Sequence, residues 1–127
     1  MNFEKVSFAF FIVFALTLNF GFFIGDIDNP AHHHVYELFA AIVISLIATV
    51  IKLGERSQIG AVLLATSLVA DIHLIGAAII WGFAEHVSES GLTPDMMSTI
   101  VSVSGGALIA NITSVILLVV ETVVHRR

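Results

Sequence analysis

The sequence contains no cysteine among its 127 residues. Disulfides, thiolate metal sites, iron–sulfur clusters and covalently attached c-type haem are therefore excluded. Charge is scarce as well, because charged residues make up 12% of the chain, about half the share in a typical soluble domain. Apolar residues make up 57%. This balance, in a chain of single-domain length, predicts an integral membrane protein with one domain.

Familiar catalytic and channel motifs are also missing from the sequence. There is no phosphate-binding glycine loop, no nucleophile motif and no HExxH pair, so we do not predict an enzyme. There is no arginine-repeat voltage sensor and no TVGYG-like filter either, which argues against a standard potassium channel.

Four apolar runs are each long enough to cross a hydrocarbon core of ~30 Å. The predicted spans are about 6–24, 36–53, 58–84 and 95–122. The first run could be a signal peptide, but it is too long for an h-region and no small-residue cleavage site follows it. We therefore predict that it is retained, and that the fold is an all-α bundle of four antiparallel transmembrane helices.

Two X–Pro pairs mark predicted helix starts. In Asn29-Pro30 and Thr93-Pro94 a capping side chain precedes a proline, which is favoured at the first helical position. The second helix should accordingly start at Pro30. It should end near Leu53, because Lys52 in the last turn followed by Gly54 is typical of a helix C-terminus.

The cations predict the orientation of the chain. All five positive residues lie at the N-terminus, in the turn between the second and third helices, or at the C-terminus: Lys5, Lys52, Arg56, Arg126 and Arg127. Under the positive-inside rule both termini should be cytoplasmic, in a bacterial-type plasma (inner) membrane.

The other two loops carry carboxylates and histidines without any cation. The predicted outer mouth consists of Asp26, Asp28, Glu37, Glu85 and Glu89. Such a surface can concentrate cations, although an acidic residue at a helix start, such as Asp28, also stabilises the helix dipole.

A metal site is a further interpretation of the outer loops. If the second helix begins at Pro30, His33 and Glu37 stand at i and i+4, and His86 lies on the other outer loop. Imidazole with carboxylate suits a zinc-like divalent ion. A hydrated histidine-rich loop is the alternative.

Asp71 lies in the middle of the third span and is the leading candidate for function. An ionisable side chain at bilayer depth costs a few kcal/mol and is a functional-site hypothesis by default. Counted inward at ~1.5 Å per residue, Thr49, Asp71 and Asn111 lie ~20–22 Å from the outer ends of their helices. They therefore predict a polar layer, which could be an ion path or a hydrogen-bonded clamp worth ~1 kcal/mol per bond.

His73 is two residues from Asp71 and points to another side of the helix, so the two should not pair. It could be a packed interhelical histidine, a proton relay or a ligand. Haem ligation would need two copies of His73 in a symmetric dimer, because no second histidine lies at that depth.

A single four-helix bundle fills its own centre, so we expect any aqueous path to lie between subunits of a cyclic homo-oligomer. The predicted function is a homo-oligomeric cation channel or cation-transport protein. The alternative is a metal- or haem-binding accessory subunit of a membrane complex. The predicted partners are the lipid bilayer, further copies of the chain and cations, and nucleic acid is not among them.

Overall fold

A computed structural model describes residues 3–125, and this range contains four long α-helices. They are α1 (Phe3–Phe23), α2 (Val35–Lys52), α3 (Gln58–His86) and α4 (Pro94–His125). All four are long and apolar enough to cross a membrane. The prediction of an all-helical, multi-pass membrane protein is therefore confirmed.

Each helix packs against two others, because α1 contacts α2 and α4, and α3 contacts the same two helices. Two buried clusters form the core, one containing Phe22 and Leu74 and the other containing Phe8 and Leu63. Many large apolar side chains face outward along all four helices. Such a surface suits lipid, where an exposed apolar side chain carries no penalty.

The connection between α1 and α2 differs from its prediction. Asn29 does cap a turn, since its side-chain oxygen accepts from the backbone N–H of Ala31 at 3.0 Å. The turn it starts is a 3₁₀ helix of three residues, Pro30–His32, after which His33 is extended with φ −127°. Because this extended backbone breaks the helical path, α2 begins only at Val35, and the predicted start at Pro30 is wrong.

Local caps set the starts of α3 and α4, and a glycine follows the end of α2. The Ser57 hydroxyl oxygen accepts from Gly60 N–H at 3.0 Å at the start of α3. The Thr93 hydroxyl oxygen accepts from Met96 N–H at 3.2 Å at the start of α4. Gly54 has φ +84°, a left-handed conformation that favours glycine and permits the tight turn between α2 and α3.

Aromatic contacts show which loops share an end of the bundle. The Phe22 ring lies 5.5 Å from the His33 ring and 6.0 Å from the Trp81 ring, which brings the α1–α2 loop next to the end of α3. We call this the acidic end, comprising residues 24–34 and 85–95. At the other end, the Lys52 ammonium lies 4.5 Å from the centre of the Phe8 ring.

A buried carboxylate in the centre of the bundle

Asp71 is held by two hydroxyl groups of α2. The Ser45 hydroxyl donates to Asp71 Oδ1 at 2.6 Å, and the Thr49 hydroxyl lies 2.5 Å from Oδ2. Ser45 and Thr49 share a face of α2 because they are one turn apart. Asp71 is only 4% exposed, so its carboxyl group is enclosed between α2 and α3.

The Thr49 hydroxyl has a choice of acceptor, since it also lies 3.0 Å from the Ser45 carbonyl oxygen. A hydroxyl has one hydrogen to donate. When Asp71 is ionised, Thr49 donates to the carboxylate. When Asp71 is protonated, its O–H can donate to Thr49, and Thr49 can donate to the Ser45 carbonyl. The hydrogen bonds are thus complete in either protonation state, with no displacement of heavy atoms.

A second buried polar cluster joins α1 to α4. With its amide oriented to suit its neighbours, Asn19 Oδ1 accepts from Asn111 Nδ2 at 3.1 Å and from Leu108 N–H at 2.9 Å. Its Nδ2 donates to the Ser104 carbonyl at 3.2 Å. Asn19 and Asn111 are fully buried. Asn111, which was predicted to share a polar layer with Thr49 and Asp71, therefore bonds to Asn19.

The two clusters lie at similar depth. The His73 ring of α3 contacts Gly106 of α4. Asp71 lies two residues before His73 and Leu108 lies two residues after Gly106, so Asp71 and Leu108 are at the same level. Since Leu108 bonds to Asn19, Asn19 and Asp71 are at nearly the same height in the bundle. Asn19 was not predicted to belong to the polar layer of Thr49, Asp71 and Asn111. Its amide side chain inside an apolar run was the sequence feature that could have indicated it.

Two buried oxygen atoms in this region have no hydrogen-bond partner within residues 3–125. They are Ser67 Oγ and Asn111 Oδ1, and both residues are fully buried. Ser67 lies one turn before Asp71 on α3. A buried polar atom without a partner costs about 1–3 kcal/mol.

His73 faces α4 and not Asp71. Its Nδ1 lies 2.9 Å from the Val69 carbonyl oxygen, which can only accept, so Nδ1 donates. Its ring occupies the space that Gly106 leaves open, since a methyl group at that glycine would come 2.5 Å from His73 Cδ2. The ring nitrogen Nε2 lies along the same edge, 2.7 Å from the position of that methyl.

Four of the five residues of the predicted outer mouth lie at the acidic end, and the fifth, Glu37, lies in the first turn of α2. Four of its carboxylates are exposed, and Glu37 is half-buried against Gly21 of α1. The exposed members are Asp26, Asp28, Glu85 and Glu89.

The predicted metal site of His33, Glu37 and His86 is not assembled. His33 is 3% exposed, with Nδ1 2.5 Å from the Phe22 carbonyl and Nε2 2.8 Å from the Asp26 carbonyl. Both ring nitrogens therefore lie against backbone carbonyl oxygens, and the extended backbone removes His33 from the helical face of Glu37. His86 is exposed at the end of α3. Across the described residues, no group of three or more His, Cys, Asp or Glu side chains could hold a metal ion.

Four apolar helices around a buried polar centre define a multi-pass helical membrane protein. The chain belongs to the family described as Family of unknown function (DUF6394), which matches residues 32–122. Ser45, Thr49, Asp71 and Asn111 lie within the matched range, and Asn19 lies before it. No curated protein and no solved structure matches the chain.

Proposed function

We propose that the chain is a cation-transport protein of a bacterial-type plasma membrane, and that Asp71 binds the transported cation, which can be a proton. The observation that carries the proposal is the hydrogen-bond network of Asp71, which is complete with or without a proton. A transported ion must be both bound and released. A carboxyl group that is satisfied in both states meets that requirement.

A purely structural role for Asp71 is less well supported. Asn19 already joins α1 to α4 through amide and backbone hydrogen bonds, without any ionisable group. An amide or hydroxyl at position 71 could join α2 to α3 at lower cost, because a carboxylate removed from water is expensive unless it is neutralised. The use of aspartate at this depth therefore favours binding over packing.

The surface and the location of the site suggest a route. Exposed carboxylates at the acidic end can raise the local concentration of cations. Asp71 is enclosed within one bundle, so its site needs no second copy of the chain, and we propose that transport occurs through each bundle. A homo-oligomer would then hold several such bundles. The haem-binding alternative has less support, because Nε2 of His73 lies against Gly106.

We further propose an antiparallel bundle with both termini in the cytoplasm. The contacts of Phe22 with His33 and of Phe8 with Lys52 support the antiparallel pairing of α1 with α2. Single cysteines are clean probes here, since the chain has none of its own. Asn29→Cys and Ser90→Cys should react with an impermeant thiol reagent outside intact cells, whereas Ser57→Cys should be protected. The opposite labelling pattern would reverse the orientation.

Ion flux into liposomes tests the role of Asp71. Asp71→Asn keeps the shape of the side chain and removes the ionisable group, so flux should fall by at least about tenfold, the effect of a 1.4 kcal/mol loss. Thermal unfolding in detergent would show that the variant is folded. Glu55→Gln is the control, because it removes a carboxylate in the turn between α2 and α3, at the end of the bundle away from the acidic end. Normal flux through folded Asp71→Asn would refute the proposed function.

A further inference from the structure

The two contacts between Asp71 and α2 contain hydrogen atoms and leave no position for a metal ion between the oxygens. The Ser45 hydroxyl donates to Oδ1 at 2.6 Å, and the Thr49 hydroxyl donates to Oδ2 at 2.5 Å. A hard metal ion such as Ca²⁺ has metal–oxygen bonds of about 2.3–2.6 Å, so two oxygens in adjacent octahedral positions lie about 3.3–3.7 Å apart. The contacts at Asp71 are too short for two ligands of one ion.

The surroundings of Asp71 within residues 3–125 do not supply the further ligands that a metal ion needs. Hard cations such as Ca²⁺ gather about six to eight oxygen ligands. Ser45 and Thr49 are the described side chains that hydrogen-bond to Asp71, and no group of three or more His, Cys, Asp or Glu side chains in this range could hold a metal ion. With 4% exposure, Asp71 also has little contact with water that could complete a coordination shell. A proton needs only one bond to a carboxylate oxygen.

The Thr49 hydroxyl is placed to follow the loss and gain of a proton. It lies 2.5 Å from Asp71 Oδ2 and 3.0 Å from the Ser45 carbonyl oxygen. When protonated Asp71 releases its proton, the O–H bond breaks, both bonding electrons stay on the carboxylate, and water accepts the proton. The Thr49 hydrogen then turns from the carbonyl to the carboxylate. Uptake reverses these steps, so the transfer of one proton is accompanied by the rotation of one hydroxyl group.

We propose that the cation carried by Asp71 is a proton, and that Thr49 is the positioning residue for its transfer. The inference rests on the proposed function and names the ion that the same site carries. Thr49 stabilises the ionised carboxylate by donating to it, and it accepts from the carboxyl group once that group is protonated. Sodium and potassium are not carried at this site.

The nearest titratable group on α2 is directed away from Asp71. Lys52 lies on the buried face of α2, one turn after Thr49. Its ammonium lies 4.5 Å from the centre of the Phe8 ring and 4.0 Å from the Glu55 carboxylate. The lysine charge is therefore held at the end of the bundle that contains the turn between α2 and α3.

The other three helices present no charged partner to Asp71 within their described residues. On α3 the nearest titratable group is His73, whose ring packs against Gly106. On α1 and α4 the nearest are Lys5 and Glu121, each more than two helical turns from the Asn19 cluster. The partners of the carboxyl group are therefore hydroxyls, which can donate or accept as its proton leaves or returns.

Proton and sodium fluxes measured on the same proteoliposomes test the identity of the ion. The full-length wild-type chain is reconstituted with a pH-sensitive dye inside, and a potassium diffusion potential set by valinomycin, negative inside, drives cation entry. The wild type should acidify the interior at least about tenfold faster than Asp71→Asn, in choline buffer as in sodium buffer. Uptake of radioactive sodium should be the same for the two proteins.

Three variants test the role of Thr49. Thr49→Val keeps the size of the side chain and removes the hydroxyl, so proton flux should fall by about tenfold because the ionised carboxylate loses a hydrogen bond. Thr49→Ser keeps the hydroxyl and should stay within about twofold of the wild type. Thr113→Val is the matched control, because the Thr113 hydroxyl also donates to the carbonyl four residues before it, but not to a carboxylate. It should behave as wild type, and thermal unfolding in detergent shows whether each variant is folded.

The outcomes separate this inference from the proposed function. Sodium uptake that depends on Asp71, with or without proton flux, would refute the proton as the carried ion and leave the transport role standing. Full proton flux through folded Thr49→Val, or an equal loss in Thr49→Val and Thr49→Ser, would refute the role of Thr49. The comparison of ions does not depend on whether Thr49→Val folds. Equal fluxes through the wild type and Asp71→Asn would refute the proposed function and the inference together.

Discussion

The bundle contains two buried polar clusters at similar depth that use different chemistry. Around Asp71, hydroxyls of α2 surround a group that can gain or lose a proton. Around Asn19, amides and backbone atoms join α1 to α4 through groups that do not titrate. Fixed amides are suited to holding helices together, whereas a carboxyl group with rotatable hydroxyl partners is suited to changing state. The comparison predicts that stability and transport respond to different substitutions.

The largest effect on stability is expected for Asn19→Leu. This change removes the hydrogen bonds to Asn111, Leu108 and Ser104, so the free energy of unfolding should fall by about 2 kcal/mol. Titration of purified protein with a denaturing detergent measures the loss. Ion flux into liposomes should persist in the folded variant, because the hydrogen bonds of Asp71 to α2 are not touched.

Thr17→Val provides a control for Asn19→Leu, because Thr17 is exposed on the same helix and its hydroxyl donates to the Phe14 carbonyl of that helix. It should change stability by less than about 0.5 kcal/mol. Loss of ion flux through folded Asn19→Leu would show that the two clusters do not act separately.

A smaller loss is expected for Gly106→Ala, which tests the α3–α4 contact that sets the two clusters at one depth. The added methyl would collide with the His73 ring, so the free energy of unfolding should fall by about 1 kcal/mol. Gly82→Ala is the control, since an added methyl there meets nothing within 4 Å. In a His73→Ala background the cost of Gly106→Ala should disappear. An equal cost in both backgrounds would contradict the contact.

The smallest effect concerns Glu55, an exterior carboxylate that can be compared with Asp71. Hydrogen bonding from the Ser57 backbone N–H, helped by the charge of Lys52, lowers the pKa of Glu55 below its ordinary value of 4.5. The ionised form is thus favoured by folding, and its contribution is present above that value and lost as the pH falls below it.

Thermal unfolding followed from about pH 6 to about pH 3.5 checks the Glu55 assignment. The midpoint of wild type should exceed that of Glu55→Gln at the higher pH, and the difference should shrink on acidification. A constant difference would exclude this carboxylate as its source.

The sequence was sufficient for the four helices, because long apolar runs leave little choice of structure. Counting residues along the helices also predicted Thr49 and Asp71 at one depth, and their side chains form a hydrogen bond. Counting gives height but not the direction in which a side chain points around its helix. For that reason the bond between Asn111 and Asn19 could not be foreseen.

The histidine-rich loop shows a different limit of sequence reasoning. An Asn–Pro pair caps a 3₁₀ turn as well as an α-helix, and local sequence did not distinguish the two at Pro30. The choice depends on His33, whose ring nitrogens contact carbonyls of Phe22 and Asp26, residues that precede it in the chain. Because of these tertiary contacts, the ring of His33 lies against two backbone carbonyl groups and does not join Glu37 and His86 in the predicted metal site.

The bonds of Asn19 also bear on the mechanics of α4. Ser104 and Leu108 are spaced as the two partners of one backbone hydrogen bond in an α-helix, and the Asn19 amide bonds to both. Insertion of a side chain at such a position is a known cause of helix bending. Beside the glycine pair Gly105-Gly106, we therefore expect α4 to bend most easily at the level of Asp71, where the Asn19 amide offers a donor and an acceptor to the backbone groups that a bend would separate.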